Sequence, residues 1–282
     1  MKELYFMIDL TKQAHHKYSK SKQSENLKYA QLMELADQVR AEHPGIGCRK
    51  MYDLLMPGFI GRDKFETLLL KNGYRVKQVK NYHRTTYSYK GYRYPNLIKG
   101  RKVNEINQLW QTDITYFPLN GKFYYIVFIL DIYSKRIVGY NLSRNLFAES
   151  NIAALKMSFK LRKHGDLSKL IHHSDKGGQY YDREYLKLLS SKNVSISMCN
   201  SALENAYAER VNGIIKNEYL KLWSIADYTE LEKAVKKAVK NYNYTRPHNS
   251  NLSKLSPVNY EKMLLTLSTQ DKPTVTIYTD AS

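Results

Sequence analysis

Cysteine is nearly absent from this chain: Cys48 and Cys199 are the two present, far apart and without ligand-spaced partners. That excludes a disulfide framework and a structural zinc site, and both thiols read as small, reduced apolar residues. No apolar run reaches the roughly 18 residues that a membrane-spanning helix needs. The opening MKELYFMIDLTKQ lacks the long apolar stretch and small-residue cleavage pattern of a secretory leader, so a soluble, cytoplasmic protein with no membrane partner is expected. Acidic residues are also in short supply, 26 Asp and Glu against 45 Lys and Arg, a net charge of +19. Such a surplus predicts a polyanionic partner, DNA above all, and with it association with the nucleoid. The excess is concentrated at the front, where residues 1–104 hold 21 basic and 9 acidic side chains. Tyrosine is plentiful, at 25 residues. A tyrosine recombinase, however, needs Arg and His clustered around its nucleophile, and Arg246, His248 and Tyr260 are too sparse a set.

Apolar spacing divides the chain into four parts. Residues 1–73 read as a small all-α unit. A short helix start and basic stretch come first, then an amphipathic helix over 26–42 stopped by Pro44-Gly45. A second helix over 47–55 ends at Pro57-Gly58, and a third runs over 62–72. Three short helices with a tight turn before the third predict a helix-turn-helix, in which Arg62, Lys64 and Lys71 are candidates for touching DNA. Residues 74–104 alternate basic and aromatic side chains without apolar periodicity. They predict an arm that follows a phosphate backbone through Arg75, Lys77, Lys80 and Arg84. Residues 105–264 read as a mixed α/β unit, and 265–282 as a loosely ordered tail.

Within the α/β unit, three carboxylates stand where a carboxylate is unusual. Asp113 interrupts the aromatic, β-branched run QLWQTDITYFPL, which otherwise reads as a core strand. Asp175 follows the apolar Leu170-Ile171 and precedes the turn Lys176-Gly177-Gly178. Glu209 lies on a helix predicted over 202–216, whose apolar stripe is Tyr207, Val211, Ile214 and Ile215. Asn205, Glu209, Asn212 and Lys216 fall on another face of that helix. Three carboxylates brought together repel one another unless a cation neutralises them, and hard oxygen donors suit Mg²⁺ or Mn²⁺. The arrangement therefore predicts a two-metal site for phosphoryl transfer.

Five stretches carry a resemblance to a known family: WQTDIT around Asp113, DIYSKRIVGY from Asp131, HSDKGGQY around Asp175, ENAYAERVNGIIKNE around Glu209 and YNYTRPHNSNLSKLSPVNY from Tyr242. In these motifs and their order the chain resembles the DDE transposases with a retroviral-integrase-like catalytic core, specifically the second-frame (OrfB) products of two-frame bacterial insertion sequences. It departs from them in a slightly shorter interval between Asp175 and Glu209, in Glu204 where Asp is usual, and in Ala202-Leu203 where a glycine turn is usual.

The resemblance implies an RNase H-like catalytic domain, a mixed five-stranded sheet with flanking helices. It also implies that Asp113, Asp175 and Glu209 bind two metal ions, with Asp131 a turn residue. Lys216 matches a basic residue that touches DNA near the scissile phosphate, and Asn212 is a second candidate contact. His173 and Gln179 are candidates for supporting the metal ligands or positioning substrate. The implied activity is metal-dependent cleavage at the ends of a mobile element followed by strand transfer into target DNA. Implied partners are the terminal repeats, the target, further copies of the chain, and an upstream-frame helix-turn-helix and coiled-coil protein joined by frameshifting. Two other readings are a non-catalytic DNA-binding regulator, which leaves the triad without a reason, and an RNase H-like nuclease, which leaves the basic front third unexplained.

Overall fold

The computed structural model describes residues 11–76, 94–163, 165–199 and 202–278. The chain divides into two compact units, Met1–Val76 and Lys77–Ser282. In the first, α1 (Lys12–Glu42), α2 (Cys48–Leu55) and α3 (Arg62–Lys71) close on a small core that includes Leu32, Ala36, Met51, Phe65 and Leu69. The guanidinium of Arg40 ties its loops together by donating to the carbonyls of Pro44 at 2.8 Å, Ile46 at 2.9 Å and Tyr74 at 2.9 Å. The short first helix and basic stretch expected before residue 26 are instead one continuous 31-residue helix. Thr11 caps it through Oγ1, which accepts from Ala14 N. No Pro or Gly interrupts residues 12–42, so nothing breaks the backbone ladder there even though the first twenty residues bury almost nothing.

The second unit is built on a five-stranded sheet in the order β4-β3-β2-β5-β6. Its strands are β2 (Leu109–Leu119), β3 (Lys122–Asp131), β4 (Ile137–Ser143), β5 (Ile171–Ser174) and β6 (Ser195–Met198). The first three pair antiparallel, and β5 and β6 add in parallel. Asn120 and Gly121 join β2 to β3 with φ of 50° and 72°, the left-handed pair that an Asn-Gly hairpin supplies at little cost. Side chains alternate between two cores, as strand geometry requires. One face, with Leu109, Phe117, Phe128 and Leu130, packs against α6 (Ala206–Ile214), α7 (Tyr228–Tyr244) and α8 (Pro257–Leu264). The other, with Trp110, Val127 and Ile129, packs against α4 (Ala148–Leu161) and α5 (Arg183–Ser190). Helix α4 lies so close to β4 that a Cβ on Gly139 would sit 2.1 Å from Ser158 Oγ and 2.2 Å from the Ala154 carbonyl.

Asp131 closes β3 as a buried turn residue. It accepts from Tyr133 N and Ser134 N at 3.1 Å each and from Asn107 N at 2.7 Å. The arm and tail expectations both need correction. Residues 94–104 are part of the α/β unit: Leu97 N donates to Ser197 Oγ at 2.9 Å, and β1 (Lys102–Val103) pairs with β7 (Val275–Thr276). Ile277 is fully buried. The tail is held because this apolar residue fills a space that the sheet and α8 leave open. The arm residues Lys77, Lys80 and Arg84 lie outside the described residues. Among the described residues, no helix is long and apolar enough to cross a membrane.

Candidate active site

Strands β2 and β5 run side by side in parallel, and their last paired residues are Gln111 and His173. Asp113 and Asp175 each lie two residues beyond that pair, so the register sets the two carboxylates abreast, Asp113 within β2 and Asp175 just past the end of β5, where about 4.8 Å separates strand axes. Past Gln111, β2 has no partner on this side. Helix α6 covers the gap, and Asn205 Nδ2 satisfies the Thr112 carbonyl there at 3.0 Å. Seven residues on, Asn212 Nδ2 donates to Asp113 Oδ2 at 2.7 Å. Lys216 lies four further, its Nζ 5.3 Å from the centroid of the Tyr116 ring. The helix face read from the sequence as Asn205, Glu209, Asn212 and Lys216 thus runs along the open edge of β2.

Glu209 lies within electrostatic reach of the other two carboxylates. Burial lifts Asp113 to about 8, with Asp175 and then Glu209 adding repulsion. Burial raises Asp175, and the Gly177 amide that donates to its Oδ1 at 3.0 Å only partly offsets this. Glu209 is raised first by loss of surrounding water and then by Asp175, although its helix face is exposed. Asp113 and Asp175 each keep an edge open to solvent, while protein occupies most of the volume around them. Tyr180 closes the floor, its hydroxyl 3.5 Å from Thr112 Oγ1. Its phenol is held well above the usual range by burial and by Asp175.

The donor set, three carboxylates that each resist ionisation, suits a hard cation, which would restore the charged forms. Its present spacing is open: among the described residues, no three His, Cys, Asp or Glu side chains are grouped closely enough to hold an ion. Glu204, a further carboxylate five residues before Glu209, turns elsewhere. Its Oε2 accepts from Asn96 at 2.9 Å, and its carbonyl accepts from Gln111 Nε2 at 3.2 Å.

The other expected site residues take these places. Asn212 is buried against Asp113, not presented to solvent; the hydrogen bond to a carboxylate outweighs exposure at a helix position that faces the strand. His173 is buried within the sheet, with Nδ1 2.8 Å from Ser197 Oγ, and burial lowers it to about 4. Gln179 ties the loop after Asp175 to the start of α4, donating to the Leu146 carbonyl at 3.1 Å. Arg62, Lys64, Lys71 and Arg75 are exposed on the helical unit.

The helix predicted over 202–216 is three segments: a 3-10 turn (Ala202–Asn205), α6, and a π-helix (Ile215–Leu220). Glu218 on the π-helix receives Arg246 in two hydrogen bonds, 2.8 Å from Nε and 2.7 Å from Nη2. Sequence periodicity carried no sign of this clamp, because Arg246 lies 28 residues away.

Residues 103–202 match a family described as "Integrase core domain", and residues 193–257 match a second family of the same description. The chain is 30% identical over 198 residues to the putative transposase InsK for insertion sequence element IS150 of Escherichia coli, covering 69% of this chain and 67% of that protein. It is 28% identical over 205 residues to the putative transposase for IS986/IS6110 of Mycobacterium tuberculosis, covering 69% and 74%. An uncharacterized 31 kDa protein of insertion element IS600 from Shigella sonnei is 30% identical over 208 residues, covering 72% and 75%. Among solved structures, the HTLV-2 integrase catalytic core domain in complex with magnesium overlays with a TM-score of 0.44 at 19% identity, covering 59% of this chain and 99% of that one.

Proposed function

We propose, from the premise that the chain belongs to the integrase-core transposases of insertion sequences, that Asp113, Asp175 and Glu209 are its metal-binding catalytic triad. The three would hold two Mg²⁺ or Mn²⁺ ions. Bound there, the ions supply activation of a water or 3′-hydroxyl nucleophile and stabilisation of the leaving oxygen in an in-line displacement at phosphorus. The observation that carries this reading is the parallel register that sets Asp113 beside Asp175, with Asn212, on the helix that bears Glu209, donating to Asp113 Oδ2 at 2.7 Å. Burial and the two acidic neighbours raise the Asp113 carboxyl. A carboxyl kept protonated at neutral pH beside two others is poised to exchange its proton for a cation.

The chain's own residues do the positioning. Asn212 fixes the orientation of Asp113, and the Gly177 amide fixes Asp175. Lys216, half-buried at the open edge of β2, meets a DNA phosphate there. Arg62, Lys64, Lys71 and Arg75 bind the terminal repeats through the helical unit. The substrates are the element's ends and target DNA, the protein works as a homo-oligomer on DNA at the nucleoid, and an upstream-frame partner or fusion completes the assembly.

The test is Mg²⁺- or Mn²⁺-dependent strand transfer on a labelled oligonucleotide carrying the element's end, with Asp175→Asn as comparison. Joined products that vanish in the variant while DNA binding persists are the expected result. Binding without metal-dependent joining, even with the upstream frame fused on, sinks the reading.

A further inference from the structure

The tip of the β2–β3 hairpin carries an aromatic pair that no core requires. Tyr116 and Phe123 meet edge to face, with centroids 5.4 Å apart and planes at 87°. Phe123 is 55% exposed, and Tyr116 is half-buried. An exposed phenylalanine on a hairpin adds little to folding, because most of its surface stays in water. The pair is nevertheless held in place. The Asn120-Gly121 turn sets the hairpin register, and the pairing of Pro118 with Phe123 and of Tyr116 with Tyr125 fixes both rings on one side of the ribbon. The Lys216 ammonium stands over the Tyr116 ring at 5.3 Å, and Lys122 is exposed beside Phe123.

We infer that Tyr116 and Phe123 form a stacking step for an unpaired base at the end of a DNA strand, with Lys216 holding the adjoining phosphate. Flat ring surface beside a cation is the combination that single-stranded nucleic acid seeks: base faces stack on aromatics while the backbone follows positive charge. An apolar protein partner would gain from the rings but would have to desolvate the ammonium. The location suits a strand end. Tyr116 is three residues from Asp113 along β2, about 10 Å at strand spacing and on the opposite face. Lys216 reaches it round the open edge from the same helical stretch whose Asn212 touches Asp113. The interval is roughly the length of three stacked nucleotides. The inference rests on the strand-joining reading in taking DNA as the ligand.

The test compares a blunt duplex with the same duplex bearing a three-nucleotide unpaired tail that contains 2-aminopurine, both without metal. The wild-type chain is expected to bind the tailed duplex about ten-fold more tightly and to change the 2-aminopurine emission, in line with base–aromatic stacking. In Phe123→Ala the preference for the tail falls towards one, and in Phe123→Trp it is retained. An unchanged preference in Phe123→Ala overturns the inference, as does a wild-type chain with no preference. A Phe123→Ala variant whose sedimentation shifts to a smaller species with its tail preference intact makes the rings a contact between copies, which also overturns it. Joining assays run in parallel separate the two readings. Tail preference without joining refutes the strand-transfer function and leaves the step standing, whereas joining without tail preference does the reverse.

Discussion

Replacing Asp113 with Asn should stabilise the metal-free protein, and the gain should depend on pH in a way that reports the site. In the folded chain Asp113 sits near 8, against an ordinary 3.8. The folded state therefore binds a proton that the unfolded state releases as pH climbs from 4 towards 8, and stability falls over that window. At about 1.4 kcal/mol per unit of separation, the penalty is small at pH 4, roughly 2 kcal/mol at pH 5 and roughly 4 kcal/mol at pH 7, levelling off above 8. Asparagine keeps the shape and can still accept from Asn212, so Asp113→Asn removes the penalty with little else. The readout is urea unfolding in EDTA from pH 4 to 8, followed by tryptophan fluorescence. Trp110 and Trp223 are the two tryptophans of the chain, and both belong to the second unit. A stability difference between variant and wild type that stays flat across the series would refute the burial of Asp113 and, with it, the raised carboxyl.

Two further outcomes follow from packing. Arg246→Ala leaves Glu218 half-buried without its bidentate partner and should lower stability by about 3 kcal/mol; a loss below about 1 kcal/mol in the same tryptophan assay would show the pair to be incidental. Ile277→Ala should cost about 2–4 kcal/mol, because the side chain is fully buried, whereas a frayed C-terminus would register no change.

The central hairpins were legible in the sequence because their causes are local. Alternating apolar residues from 109 to 131 and the Asn-Gly pair at 120 and 121 specify strand, turn and face within a few residues. The carboxylate positions were legible for a different reason: acids inside apolar runs are anomalous wherever they occur, and their motifs stand in one family's order. Features whose cause is distant were not legible. The hydrogen bond that turns Asn212 inward comes from Asp113, 99 residues earlier. The strand at Val275 forms only because Val103 offers an edge, and two residues carry too little pattern to read as a strand. In α1 the exposed half has no period to detect, since polar side chains all round a helix leave continuity to be inferred only from the lack of a breaker.

The pairing of β1 with β7 has a mechanical consequence. Chain entering the α/β unit touches the edge strand β6 at Pro95 and Leu97 and then meets this two-residue clasp, Lys102 with Thr276 and Val103 with Val275. A pull along that chain is resisted first at β6, where Met198 N donates to the Pro95 carbonyl at 3.3 Å and Leu97 N donates to Ser197 Oγ, and at the buried Ile98, and only then by the clasp. The strand bearing Asp113 lies behind it as the middle strand of five, bonded to β3 on one side and to β5 on the other. It can be withdrawn only by shearing both neighbours together. Tension on the incoming chain would therefore act on the edge strand β6 and on the C-terminal strand before it reached the middle strand that carries Asp113.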